Sequence, residues 1–186
     1  MTDKKCIDCM LYMTCGCGNF DTSEDDDICE MYVGSDGVGA MRVKKLYKDS
    51  IIPTRGTKEA AGLDLYAHFE DGQKDIVIYP GETVMIWSGV SLEIPKGNFG
   101  GVYARSGLST KQGLRPANCT GVIDSDYRGE VGIPIHNDSQ LWQKIKSGDR
   151  LAQLIIQPYT HVELVEAQDL SKTTRGVNGF GSTGTR

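Results

Sequence analysis

The sequence predicts an all-β domain preceded by a small Cys-rich head, and three observations lead there. From residue 41 onward, short apolar stretches recur between turn signals. Several of them alternate apolar and polar residues with the period of a half-buried strand, and only one segment reads as helix. In chain order the stretches are MRVKKLY (41–47), DIVIYP (75–80), ETVMIWS (82–88), GVSLEIP (89–95), GEVGIPIHN (129–137), RLAQLIIQPY (150–159) and HVELVEA (161–167). Pro80-Gly81, Pro95-Lys96-Gly97 and Ser147-Gly148-Asp149 punctuate them with residues suited to tight turns. SGLSTKQGL (106–114) is the one short helix expected. Strands and helices do not alternate, so the architecture is a sandwich, jelly roll or barrel.

With 186 residues and 39% hydrophobic content, the chain can bury one real core and carry an appendage. The formal net charge of −5 is unevenly spread: in residues 1–40, Lys4 and Lys5 stand against nine acids, including Glu24-Asp25-Asp26-Asp27. The remainder is close to neutral. A near-neutral body argues against broad nucleic-acid binding, which needs many phosphates neutralised, and leaves room for one anionic small molecule. No apolar run approaches the roughly 18 residues of a membrane span, and a basic start with an apolar signal stretch is not seen. The expectation is a cytoplasmic protein, or a nuclear one where the host has a nucleus, with no membrane association.

Five of the six cysteines, Cys6, Cys9, Cys15, Cys17 and Cys29, fall in that acidic head, and only Cys119 lies beyond it. The glycine-rich VGSDGVGA (33–40) reads as the hinge to the body. CIDCMLYMTCGCG supports more than one account. Four thiolates could hold a structural Zn²⁺ with one cysteine spare, although the second pair is CxC and the spacing matches no familiar zinc motif. A reduced, unstructured tail is the second account; disulfides are disfavoured by a cytoplasmic setting. The head could also engage a partner protein.

Four segments of the body, and the tail, carry chemistry. In GVIDSDY, Asp124 and Asp126 are two apart, so on an extended strand they share a face, where close carboxylates perturb each other; a solvated hairpin is the plainer account. In ARSGLS, Arg105 supplies charge, Ser106 a hydroxyl, and Gly107 lets a backbone N–H approach an anion where a helix begins, although such a tripeptide is common on surfaces. Asp64 lies between two leucines in AGLDLYA and is expected to face outward while Leu63 and Leu65 face the core. Gln153 in GDRLAQLI is an amide inside an otherwise apolar strand and needs polar partners. The tail RGVNGFGSTG (175–184) is either a flexible terminus or a lid in which Arg175 neutralises an anion, glycines admit backbone donors, and Phe180 covers a flat ring.

These five segments, in this order and spacing over roughly residues 41–186, resemble the trimeric dUTPase family, the deoxyuridine triphosphate nucleotidohydrolases. The resemblance implies a jelly-roll-like β-barrel subunit and a homotrimer whose three active sites are each assembled from all three chains. It implies hydrolysis of dUTP to dUMP and pyrophosphate by water attack on the α-phosphorus, lowering dUTP and supplying dUMP for dTMP synthesis. Residues 1–40 then form an extension and linker, 41–174 the dUTPase β-domain, and 175–186 a flexible lid. Asp124 is implied as the general base, with a contact to the sugar 3′-hydroxyl, and Asp126 as structural support. Gln153 meets the α-phosphate and attacking water; Arg105, Ser106 and Gly107 bind phosphates; Asp64 touches Mg²⁺ through water, in keeping with that ion's retained hydration. Tyr127 packs under the deoxyribose, where a 2′-hydroxyl would collide. The backbone around Asn118, Gly121, Val122 and Ile123 reads uracil, each buried mismatch costing on the order of 1–3 kcal/mol. Arg175, Gly181, Ser182 and Thr183 hold the γ-phosphate end, and Phe180 stacks on uracil.

Two positions depart from the family pattern: Ala104 stands where proline is usual, and Asn178 where glycine is frequent, a substitution suited to a left-handed backbone. Two other functions fit the same fold, a dCTP deaminase and a regulatory scaffold using the head. The arrangement of Asp124 and Tyr127 and the lack of a corresponding deamination glutamate favour the diphosphatase over the first. The complete set of chemically active residue types favours it over the second.

Overall fold

Along Glu130–Asn137 every second side chain is buried, so Val131, Ile133 and Ile135 face one core while Glu130, Gly132, Pro134 and His136 face away. The same alternation, repeated strand by strand, builds the domain. The computed structural model describes residues 40–70 and 72–179. The five head cysteines and Phe180, Gly181, Ser182 and Thr183 therefore lie outside the described residues.

The elements in order are β1 (Arg42–Lys45), β2 (Thr54–Arg55), β3 (Leu63–Tyr66), β4 (Asp75–Ile78), β5 (Thr83–Glu93), β6 (Asn98–Ala104), α1 (Ser106–Gln112), β7 (Leu114–Pro116), β8 (Thr120–Ile123), β9 (Glu130–Asn137), β10 (Gln143–Lys146) and β11 (Arg150–Pro158). They form a four-stranded sheet β1-β5-β9-β7, a five-stranded sheet β2-β3-β11-β6-β8 and a ribbon β10-β4, every paired neighbour antiparallel. Leu65, Ile78, Ile86, Leu114, Ile133, Ile135, Leu151 and Leu154 are fully buried at the centre. The expected turns hold, with Gly81, Gly97 and Gly148 all at positive φ.

Three sequence expectations change. ETVMIWS and GVSLEIP are one strand, β5, not two. Gly89 sits at φ 70 inside it and shifts the register, so that Trp87 faces Gly132 but Ser91 faces Glu130. A glycine bulge and a turn present the same residue in sequence. Before the bulge β5 pairs β9 and makes one antiparallel bridge from Trp87 to His68, whose N–H donates to the Trp87 carbonyl at 2.8 Å; after it the strand also pairs β1. Ser88 and Ser91 hydroxyls donate to the carbonyls of Val131 and Arg128, and the Gly89 N–H donates to Glu130, which satisfies the interrupted ladder.

HVELVEA is not a strand. Residues 159–179 carry no regular element and are exposed throughout, with Leu164 95% accessible and Val165 86%. It pairs with no strand among the described residues. Third, Asp124 and Asp126 stand in a turn that begins where β8 ends, closed by Tyr127 N–H to the Asp124 carbonyl at 3.2 Å. The extended-strand argument for a shared face therefore does not apply to them. Among the described residues no helix is long and apolar enough to cross a membrane.

Candidate active site

Register aligns one row of side chains across the outer face of the five-stranded sheet. Thr54 lies opposite Asp64, Asp64 opposite Gln153, Gln153 opposite Tyr103 and Tyr103 opposite Thr120. Directly opposed residues in antiparallel strands share a face, so Asp64 and Gln153 are neighbours by construction. Asp64 does point away from the core, as expected, yet it is only 4% exposed. Two guanidinium groups cover it: Arg105 Nε donates to Oδ1 at 2.9 Å and Arg150 Nη1 to Oδ2 at 3.2 Å. A carboxylate this dry needs such partners, since an unpaired buried charge is costly. Gln153 is partly buried beside it, under Gly62, whose missing Cβ would lie 3.0 Å from the Gln153 Cβ.

Arg105 is the residue before α1, and it provides no side-chain cap. Ser106 and Gly107 are exposed, and no atom lies within 4 Å of where a Gly107 Cβ would stand. The helix closes at Gly113, left-handed at φ 68, and so ends at Gln112, short of the 106–114 expected from sequence. Ala104, the departure from proline, is the last residue of β6 and pairs with Ala152, so the strand runs straight into Arg105 and α1.

The second group of expected residues collects elsewhere. β8 is the outermost strand of the five-stranded sheet, whereas β9 belongs to the other sheet, so the two arms joined by residues 124–129 splay apart. Between them opens a cleft of about 270 Å³ lined by Val122, Ile123, Asp124 and Tyr127 on one side and Glu130, Val131 and Gly132 on the other. Met85 and Trp87 of β5 complete its wall. An edge strand turns the N–H and C=O of alternate residues away from its sheet, so β8 offers backbone donors and acceptors. Gly121 packs on Val102 and is 3.5 Å from the Asn118 amide nitrogen, measured from where its Cβ would stand. Asn118 itself is exposed in the tight turn before β8, where Cys119 takes φ 60 and Thr120 N–H reaches the Asn118 carbonyl at 2.6 Å. Tyr127 donates its hydroxyl to the Glu130 carbonyl at 3.0 Å and lies over Gly129, where a Cβ would crowd its ring.

The two groups are far apart within one chain. Ile123 pairs with Gly100, and Arg105 lies five residues further along β6 and its exit, so Asp124 and Arg105 are roughly 16–20 Å apart at the rise of an extended strand. Arg175 joins neither group: it donates to the Asn178 carbonyl at 2.9 Å in an exposed turn. Asn178 is not left-handed there; Cys119 is the one non-glycine residue at positive φ among the described residues. Sequence reasoning missed Arg150, Tyr103, Met85, Trp87 and Glu130. Arg150 was visible in GDRLAQLI, but its tie to a residue 86 positions away was not. Trp87 carried a signal, a large aromatic at an outward position of an alternating strand.

The family model for dUTPase matches residues 48–184. The deoxyuridine 5′-triphosphate nucleotidohydrolase of Nautilia profundicola is 42% identical over 77% of this chain and 98% of its own length. That of a Hydrogenobaculum species is 43% identical over 76% and 96%. Among solved structures, a point-mutant dUTPase of Staphylococcus bacteriophage 80alpha with dUpNHpp superposes with a TM-score of 0.70, at 31% identity, covering 78% of this chain and 98% of that one. A mutant dUTPase from S. aureus phage phi11, described for the coordination of a structural Mg(II) ion, gives 0.62 at 29% identity, over 70% and 97%. With matched segments that include both groups of side chains just described, the chain belongs to the dUTPase family.

Proposed function

We propose that this protein hydrolyses dUTP to dUMP and pyrophosphate at sites completed between subunits of a homotrimer. The observation that carries the reading is the splayed cleft, which combines a free strand edge, a tyrosine and an exposed carboxylate at one mouth. Uracil hydrogen-bonds to backbone groups of Asn118–Ile123, with Gly121 admitting close approach. Tyr127 packs under the deoxyribose. Asp124 orients a water and takes its proton as the water oxygen bonds to the α-phosphorus and the bond to the bridging oxygen of pyrophosphate breaks.

A reacting water must sit about 3–3.5 Å from phosphorus. Asp124 and the group formed by Arg105, Ser106, Gly107 and Gln153 cannot both serve one α-phosphate across roughly 16–20 Å of β6. A second chain must therefore bring its Arg105 side to the first chain's Asp124. The exposed apolar residues of the arm, Val162, Leu164, Val165 and Leu170, support a subunit-spanning tail for the same reason. Arg175 and, beyond the described residues, Phe180, Gly181, Ser182 and Thr183 close over the triphosphate.

The Asp64 carboxylate fits an outer contact to Mg²⁺. A carboxylate offers about four acceptor positions, and Arg105 and Arg150 take two, so the remaining lone pairs could accept from a water held by Mg²⁺. When bound, the ion would supply charge neutralisation for the leaving pyrophosphate. A zinc site at Cys6, Cys9, Cys15, Cys17 and Cys29, and a partner for the acidic head, are proposals for the segment outside the described residues.

Pyrophosphate release measured over all deoxynucleoside triphosphates and UTP tests the reading. Wild type should prefer dUTP strongly, and Asp124→Asn should lose about 10²- to 10⁴-fold in kcat, the scale of a general base. Hydrolysis of dUTP by the Asn variant at the parent rate would overturn it.

A further inference from the structure

Met85 and Trp87 belong to none of the five family segments, yet both reach the cleft. β5 lies on the outward flank of β9, with Trp87 directly opposite Gly132 and Met85 opposite Pro134. Ile86 and Ser88 turn inward and are buried, whereas Trp87 remains 46% exposed and Met85 49%. Gly132 makes this possible. A Cβ there would stand 2.8 Å from Trp87 Cζ3, 3.0 Å from Cε3 and 2.9 Å from Met85 Sδ, so the benzo ring of the indole occupies the space that any other residue would fill. An indole held this way against a strand, with nearly half its surface still accessible beside an aromatic phenol and an edge strand, is prearranged for a flat ligand. The cleft, at about 270 Å³, falls just under the usual lower bound of ~300 Å³ for a small-molecule site, which suits a nucleoside rather than a larger compound.

We infer that Trp87 forms the apolar wall facing the β8 edge and contacts the deoxyuridine moiety of bound nucleotide, setting affinity for it. This rests on the reading of the cleft as the nucleoside site and adds to it a residue outside the family segments. Trp87 carries no titratable group and acts in binding, so its removal raises KM and leaves kcat nearly unchanged. It excludes water from one side of the pyrimidine, where the unpaired β8 groups would otherwise exchange partners with solvent. Base contacts with aromatic side chains, judged by alanine substitution, correspond to about 5- to 100-fold in affinity.

The chain has two tryptophans, and Trp142 lies in the exposed connection between β9 and β10, which makes a direct readout available. In Trp142→Phe, where Trp87 is the sole reporter, saturating dUpNHpp with Mg²⁺ should change the emission intensity or maximum; in Trp87→Phe, reporting from Trp142 alone, it should not. Kinetically, Trp87→Ala should raise KM for dUTP about 5- to 100-fold with kcat within about threefold, and Trp87→Phe, which keeps a ring, should return KM towards wild type. Emission of the Trp142→Phe protein that stays unchanged when the analogue has fully inhibited pyrophosphate release would overturn the inference, as would a Trp87→Ala protein with unaltered KM. Loss of kcat with unchanged KM in that variant would also overturn it. Failure of wild type to hydrolyse dUTP would sink the functional reading instead, and the emission experiment with the analogue would still judge the wall.

Discussion

Replacing Asp64 by Asn should destabilise the protein measurably even though the side chain keeps its shape. The carboxylate is 5% exposed and accepts one hydrogen bond on each oxygen, from Arg105 at 2.9 Å and Arg150 at 3.2 Å. The amide can still accept on its oxygen, but its NH₂ then faces a guanidinium N–H, so one charged hydrogen bond is lost and a donor meets a donor. Breaking a wholly buried ion pair costs about 3–5 kcal/mol. Here the two arginine side chains are 24% and 49% exposed and can recover water, which lowers the expected loss to about 1.5–3 kcal/mol, the range for a hydrogen bond to a charged group. At about 2–4 °C per kcal/mol for a chain of this size, the melting temperature should fall by about 3–12 °C. Wild type and Asp64→Asn are to be compared by scanning calorimetry at equal protein concentration, because subunit association moves the midpoint. A shift under about 1 °C would refute the reasoning, showing that the arginines hold Asp64 no better than solvent does.

Two other outcomes follow from local geometry. Gly89→Ala forces a side chain into a left-handed residue and towards the Ser50 hydroxyl and the His68 ring at 2.9 Å, so chemical denaturation should reveal a loss of at least ~2 kcal/mol. Tyr47, hydrogen-bonded to Glu70 and partly desolvated, has its phenol pushed up to about 12 from 10.0. A raised folded pKa means its contribution is fully present below pH 10 and is lost as pH rises through about 12. Tyr47→Phe should therefore remove a tyrosine that titrates at about 12 from an ultraviolet titration, and its stability deficit relative to wild type should vanish above that pH.

The parts legible in sequence were those fixed by local chemistry. β11 and β9 follow from alternation, and α1 from the one helical segment, although its end at Gln112 was not read from 106–114. The proposed site residues were assigned because their order along the chain resembles a family; their geometry was not visible. Asp64 looked like a solvated acid because its covering arginines come from 41 and 86 residues away. The β8 to β9 hairpin hid its most useful property, that its arms belong to different sheets, since two short strands around a turn read the same whether or not they pair. HVELVEA has strand composition and no paired neighbour among the described residues, and composition cannot report a missing neighbour. Trp87 was passed over because an outward aromatic on a strand is ordinary until the opposing residue turns out to be glycine.

The distance between Asp124 and Arg105 along β6 has a genetic meaning. If a site draws Asp124 from one chain and Arg105 from another, as proposed above, lesions on the two sides of that gap damage different halves of different sites, and two inactive proteins carry complementary spare parts. Unfolding and reassembling Asp124→Asn chains with an equal amount of Arg105→Ala chains should revive about one site in four, those that happen to unite two intact halves from exchanged subunits.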